Sequence, residues 1–230
     1  MLGLSNTVPA SGSLRVLAAL LSYPDDAMRS ALPGMRDILV RESALPASRL
    51  AELESIIAAF TGADPLDTEA NYVQIFDRGH STSLHLFEHV HGDSRERGPA
   101  MVDLAQTYEK TGLTLAPGEL PDYLPVVLEF ASTQPPAVAR AFLGEMTHIF
   151  NAIFSALQER ASPYASVLGA LLELAGEKAQ TVTLAAEPEM DESWAEPPVF
   201  DGCSSKGQSR PGQPQPIRIV PRNTRPGALT

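Results

Sequence analysis

The sequence predicts an all-α fold, a single-domain bundle of about eight to ten helices with a disordered C-terminal tail. Three observations carry this. Apolar residues recur at three- and four-residue steps through nearly every segment before residue 183. Pro and Gly fall where helices would start and stop. Strand-like alternation is missing, and no Asn-Gly or Asp-Gly pair joins two β-branched runs.

The elements follow in order. LRVLAALLSY (14–23) reads as a short apolar helix stopped by Pro24, and GMRDILVRESAL (34–45) as a second helix starting after the Pro33-Gly34 break. In RLAELESIIAAF (49–60), Leu50, Leu53, Ile56, Ile57 and Phe60 form one stripe, and Gly62 is the stop. TEANYVQIF (68–76) ends before Gly79. TSLHLFEHVH (82–91) follows, with Ser81 or Thr82 as its N-cap. Pro99 suits the first turn of the helix holding AMVDLAQTYEKT (100–111), with Gly112 at its exit. LPDYLPVVLEFAS (120–132) must hold Pro125 near its first turn. PPAVARAFLGEMTHIFNAIFSALQER (135–160) is the longest helix, and YASVLGALLELAG (164–176) closes the body.

These elements make residues 1–183 one helical domain. Residues 184–203 are an acidic-aromatic segment, in which EPEMDESWAEPPVF sets five acids around Trp194, Val199 and Phe200. Residues 204–230 are rich in Pro, Gly, Ser and Gln. They carry too little apolar surface to offset chain entropy, so they read as a disordered basic tail.

Charge and cysteine usage narrow the function classes. The net charge is −11, and residues 201–230 hold five Lys or Arg against one acid, which leaves −15 on residues 1–200. Such a body repels phosphate backbones, which argues against nucleic acid, and attracts basic segments of other proteins. The single cysteine, Cys203, excludes an internal disulfide and a Cys-rich zinc cluster. No apolar run approaches the roughly 20 residues that span a bilayer. The N-terminus has no basic residue before Arg15, inside the apolar run, so it reads as the first helix of a cytoplasmic protein.

One stretch invites a catalytic reading. HLFEH (85–89) matches the H-x-x-E-H pattern of a zinc peptidase class. On a helix over 82–91, His85 and His89 share a face with Glu88 beside them. The same wheel puts Leu86, Phe87 and Val90 on the opposite arc, so the three polar residues read as a solvated face. No third ligand stands out, because Glu109, Glu129, Glu145 and Glu173 are equally eligible. His148 reads as a helix-packing residue. A G-x-S-x-G elbow, a P-loop and a G-x-G-x-x-G loop are all absent, and Cys203 has no base near it in sequence. His89 and His91, beside carboxylates, suggest a pH or conformational role.

The run NYVQIFDRGHSTSLHLFEHVHGDSRERGPAMVDL (71–104), with ELPDYLPVVLEF (119–130), closely resembles the NarJ family. These are assembly chaperones of respiratory nitrate reductase within the TorD-like group of redox-enzyme maturation proteins. LLSYP (20–24) and the segment ESWAEPPVF…GC also fit, so the resemblance spans about residues 14–203. The family pattern does not require His at position 85, which weakens the zinc reading, and it assigns no role to the Pro-rich tail.

The resemblance implies a non-enzymatic cytoplasmic chaperone that holds no cofactor of its own. Its partner is the N-terminal segment of the nitrate reductase catalytic (alpha) subunit. It keeps the apo-enzyme competent for molybdenum cofactor insertion before membrane docking, and it does not join the final enzyme. The client is expected to be a short amphipathic helix with basic residues, read by an apolar trough with a polar rim. Leu84, Phe87, Leu104, Tyr108, Leu124 and Leu128 are the trough candidates, with Tyr72, Phe76 and His91 beside them. Asp77, Arg78, Asp93, Arg95 and Arg97, in the loops FDRG (76–79) and HGDSRERG (91–98), are the rim, with Gly92 and Gly98 as backbone pivots. The alternatives are a zinc-dependent hydrolase using HLFEH and a general acidic helical adaptor.

Overall fold

A computed structural model describes residues 10–92 and 94–182; the acidic-aromatic segment, the basic tail and Asp93 lie outside them. Ten α-helices are present among the described residues, which agrees with the all-α expectation. The helix α1 (Ser11–Leu21) lies against α2 (Asp26–Glu42) and α7 (Leu124–Thr133). The helix α10 (Ala165–Ala175) lies against α9 (Thr147–Glu159) and α3 (Ala47–Gly62). Between these layers sit Leu17, Leu20, Leu21, Leu128, Phe150, Ile153, Leu168 and Leu171, all inaccessible to solvent.

Polar side chains tie the layers where backbone groups would otherwise be orphaned. No side chain of its own caps α1; Glu42, from the last turn of α2, accepts from Gly12 N–H at 3.0 Å and Ser13 N–H at 2.5 Å. Arg49 on α3 donates to Glu173 on α10 through Nη2 at 3.0 Å. Its guanidinium covers Gly169, where a Cβ would sit 2.6 Å from Nη1.

Several boundaries differ from expectation. The second helix does not wait for the Pro33-Gly34 pair: α2 starts at Asp26, capped by the Asp25 carboxylate accepting from Met28 N–H, and runs through Pro33. Met28, Leu32, Met35 and Leu39 are its buried stripe, while Pro33 and Gly34 are exposed. The hydrogen bond that proline removes is therefore lost on the solvent side, and core packing carries the helix past it. The long helix over 135–160 is two, α8 (Pro136–Gly144) and α9, broken at Met146, where φ is −103° and ψ is 4°. His148 is exposed on α9 rather than packed. The helix α7 starts at Leu124, not Leu120, with Pro125 in its first turn as its ring requires.

The largest departure is at 82–91. His80–Thr82 form a single 3-10 turn, Ser83 and Leu84 are irregular, His85 is extended, and only Leu86–His91 form a helix, α5. His85 pairs with Tyr123 in an isolated antiparallel bridge, through Leu124 N–H to Leu84 O at 2.8 Å and Leu86 N–H to Asp122 O at 3.0 Å. Gly92 has φ +50°, so it is a pivot as expected; Gly98 lies inside α6 (Arg97–Glu109) and is not.

Candidate functional site

Upstream of the bridge, α4 (Pro65–Tyr72) runs into a π-turn, Val73–Asp77. Bonding from i to i+5 widens the turn, so residues four and five after Tyr72 come round to its side. Phe76 and Asp77 thus join Tyr72 on one wall of a cleft of about 480 Å³. Tyr23, from the α1–α2 connection, completes that wall. The opposite wall is His85 and Tyr123 from the bridge with Glu119 and Leu120 from the preceding turn, and Leu84 lies between the two.

The cleft is aromatic and hydroxyl-rich. Tyr72 stacks edge-on to Tyr23 at 5.6 Å and lies 4.9 Å from Phe76. Tyr72 Oη donates to Leu21 O at 2.8 Å, so at the 3.0 Å contact with Tyr123 its oxygen accepts and Tyr123 donates. Burial pushes the Tyr72 hydroxyl far above the ordinary tyrosine range, with the neighbouring Tyr123 adding to it. Phe76 rests on Tyr164, whose hydroxyl is buried without a hydrogen-bond partner among the described residues.

Behind the His85 wall lies a polar knot centred on Asp122, which is wholly buried. Its Oδ2 accepts from Phe87 N–H at 3.2 Å, and its Oδ1 is 3.4 Å from His85 Nδ1. That places the carboxylate at the N-terminus of α5, where orphan amides and the helix dipole favour negative charge. Arg97 Nη2 lies 3.8 Å from Asp122 and donates to Glu88 Oε1 at 3.2 Å. Glu88 Oε2 accepts from Ser83 Oγ, and His89 Nε2 donates to Ser83 O at 2.8 Å. The Asp122 hydrogen bond holds the His85 pKa above its ordinary value, against burial.

This geometry corrects the reading of HLFEH. His85 precedes the helix in extended conformation (φ −87°, ψ 102°), so it does not share a helical face with His89. Neither imidazole nor Glu88 is a free solvated face; all three are half-buried and engaged, whereas Val90, assigned to the apolar arc, is 51% exposed. Among the described residues no group of three or more His, Cys, Asp or Glu converges as a metal would need.

The remaining candidates separate into three places. Tyr72, Phe76, Asp77 and Leu84 line the cleft. Leu124 and Leu128 are in the core, and Tyr108 is buried with its hydroxyl on Pro121 O at 2.8 Å, lining a separate cleft with Leu113, Leu115 and Phe130. Phe87, His91 and Leu104 are half-buried on α5 and α6, with Phe87 and His91 rings 5.5 Å apart. Arg78 lines a neighbouring cleft with Tyr23, Arg95 is exposed, and Arg97 belongs to the polar knot. Sequence reasoning singled out His85 only as a metal ligand, and it did not single out Tyr23, Glu119, Leu120, Asp122 and Tyr123. Their signal was present only as LLSYP and ELPDYL, each next to a proline that fixes a turn.

The all-helical fold of the described residues has a solved counterpart. A crystal structure described as a redox enzyme maturation protein, from Archaeoglobus fulgidus, covers 77% of this chain and all of that one, with a TM-score of 0.55 and 19% identity. Residues 42–169 match the family described as nitrate reductase delta subunit. NarJ of Escherichia coli K12, described as a nitrate reductase molybdenum cofactor assembly chaperone, is 42% identical over 162 residues, 70% of this chain and 69% of NarJ. The nitrate reductase-like protein NarX of Mycobacterium tuberculosis H37Rv is 36% identical over 71% of this chain and 25% of NarX. The chain belongs to the NarJ family. Every residue named in the cleft except Tyr23 lies within the matched region.

Proposed function

We propose that this chain is a non-catalytic assembly chaperone for a respiratory nitrate reductase. It binds the N-terminal segment of the catalytic subunit in the Tyr72–Tyr123 cleft. By holding that segment in the cytoplasm, it keeps the apo-enzyme competent for molybdenum cofactor insertion and delays docking on the membrane anchor.

The observation that supports the reading best is an open aromatic cleft of about 480 Å³, walled by the two family-like stretches FDRG and PDYL. Helix-in-groove recognition needs such a trough with a polar rim, and Asp77 and Glu119 supply the rim. Three or four client side chains burying about 1.5–3 kcal/mol each give a gross gain of roughly 5–12 kcal/mol. Association and helix ordering remove several of these, which leaves a micromolar to nanomolar complex that can still release its client. No helix among the described residues is long and apolar enough to cross a membrane.

Calorimetry with a synthetic peptide of roughly the first 15–30 residues of the catalytic subunit tests this, since a groove-bound helix of that length is self-contained. Saturable one-to-one binding, weakened at least tenfold by Tyr123→Ala, is expected. Absence of binding, or binding unaffected by cleft substitutions, would refute it.

A further inference from the structure

The Asp77 carboxylate is exposed at the rim of the cleft, and no described residue hydrogen-bonds or ion-pairs with it. Nearby cations are turned elsewhere: Arg29 Nη2 lies 4.0 Å from Glu69, and Arg78 lines the neighbouring cleft. Other acids of this region have partners. Glu69 accepts from Tyr23 Oη at 2.9 Å, and Glu119 accepts from Ala116 N–H at 3.0 Å. Asp77 lines the same cleft as Tyr23, Tyr72 and Tyr123, and its charge helps push up the three tyrosine hydroxyls. It acts behind the Glu69 hydrogen bond for Tyr23 and behind burial for Tyr72 and Tyr123. The π-turn is what brings it there, five residues after Tyr72 and beside the same ring.

An unpaired carboxylate in one cleft with three tyrosines is the chemistry that takes an organic cation. The charge supplies direction, the rings attract the cation face-on, and the alkyl stem covers apolar ring surface. We propose that the Asp77 end of the cleft is a cation subsite, which holds the ammonium or guanidinium group of one Lys or Arg of the bound leader segment against Tyr23 and Tyr72. The proposal rests on the leader-binding reading above and adds to it a fixed register. The apolar anchors of the client lie against Leu84, Leu120 and Tyr123, and one basic residue is placed at the Asp77 end.

The test compares two synthetic leader peptides by calorimetry: the natural one, and a copy in which every Lys and Arg is norleucine or citrulline. Three full-length proteins are used: wild type, Asp77→Asn, and Asp103→Asn, which removes the same charge from an exposed position on α6. Wild type should prefer the charged peptide by about 5–20-fold at low salt, the sum of one cation–π contact and one exposed ion pair. Asp77→Asn should lose most of that preference and Asp103→Asn should keep it, and it should shrink at high salt. If wild type binds both peptides equally, or if the two variants lose the preference alike, the subsite is overturned while leader binding stands. If wild type binds neither peptide, both readings fall together.

Discussion

Replacing Asp122 by alanine is the sharpest test of how the cleft wall is held. The carboxylate is wholly buried and accepts from Phe87 N–H at 3.2 Å, so it both caps α5 and satisfies a helix-start amide. A hydrogen bond to a charged group contributes about 1.5–3 kcal/mol, and that figure already contains the cap. His85 at 3.4 Å and Arg97 at 3.8 Å are both part-exposed, so each adds under about 1 kcal/mol. Arg97 keeps Glu88 and is not stranded. Asp122→Ala should therefore destabilise by about 2–4 kcal/mol, or roughly 5–15 °C in Tm for a chain of this size. Urea unfolding followed by circular dichroism measures it, and a loss below about 1 kcal/mol would refute the capping argument. Asp122→Asn separates charge from hydrogen bonding. It keeps an oxygen for Phe87 N–H, so it should lose about half as much; equal or greater stability than wild type would mean that burying the charge outweighs what it pairs with. The pair with His85 adds a pH signature. Its native pKa is raised, mainly by the Asp122 hydrogen bond, so the native state holds the proton more tightly than the unfolded chain. That stabilisation is complete below about pH 6.5 and is lost as pH rises through the higher native value. The gap between wild type and Asp122→Ala should accordingly narrow from pH 6 to pH 8.5.

Two further substitutions probe the packing behind the cleft. Tyr164→Phe removes a buried hydroxyl that has no partner among the described residues, so it should be neutral or stabilise by up to about 1 kcal/mol in the same unfolding assay; a loss above about 1 kcal/mol would show that the hydroxyl is satisfied after all. Gly79→Ala places a Cβ 2.6 Å from Thr82 Oγ1 and 2.9 Å from the Arg160 guanidinium. It should destabilise by about 1–3 kcal/mol and raise the susceptibility of the 78–85 stretch to proteolysis, and an unchanged melt would contradict the packing described.

The helices were legible because burial imposes a 3.6-residue period on sequences such as 49–60, where Leu53, Ile56, Ile57 and Phe60 are all buried. The failures share a cause: a local signal overruled by tertiary packing. Pro33 looked like a stop but lies on the exposed side of a helix whose other side is core. The break at Met146 carries no proline, and its adjacent Gly144 was read as helix interior. At 83–85 the apolar spacing of Leu84 and Leu86 fits a strand as well as a helix. The bridge from His85 to Tyr123, 38 residues further along the chain, decides between them, and no window on one segment can see it.

The site was half legible for a related reason. Composition singled out the HLFEH stretch as the chemically dense part of the chain, and so it is, but its polar groups face one another. His85, Glu88 and His89 are consumed by Asp122, Arg97 and Ser83, and together they fasten the bridge that holds Tyr123 opposite Tyr72. A metal centre would need those same lone pairs directed to a common point. A rigid cleft wall needs them directed to donors on neighbouring segments, as they are here. Residue types alone cannot separate the two uses, because imidazole and carboxylate serve either one. What separates them is whether an acid from a distant segment, Asp122, is buried among them as an acceptor or stands clear as a third ligand. The chemistry left available to a partner is then the part of the cleft that the knot does not use: the tyrosine faces and Asp77, a carboxylate that no described residue hydrogen-bonds or ion-pairs with.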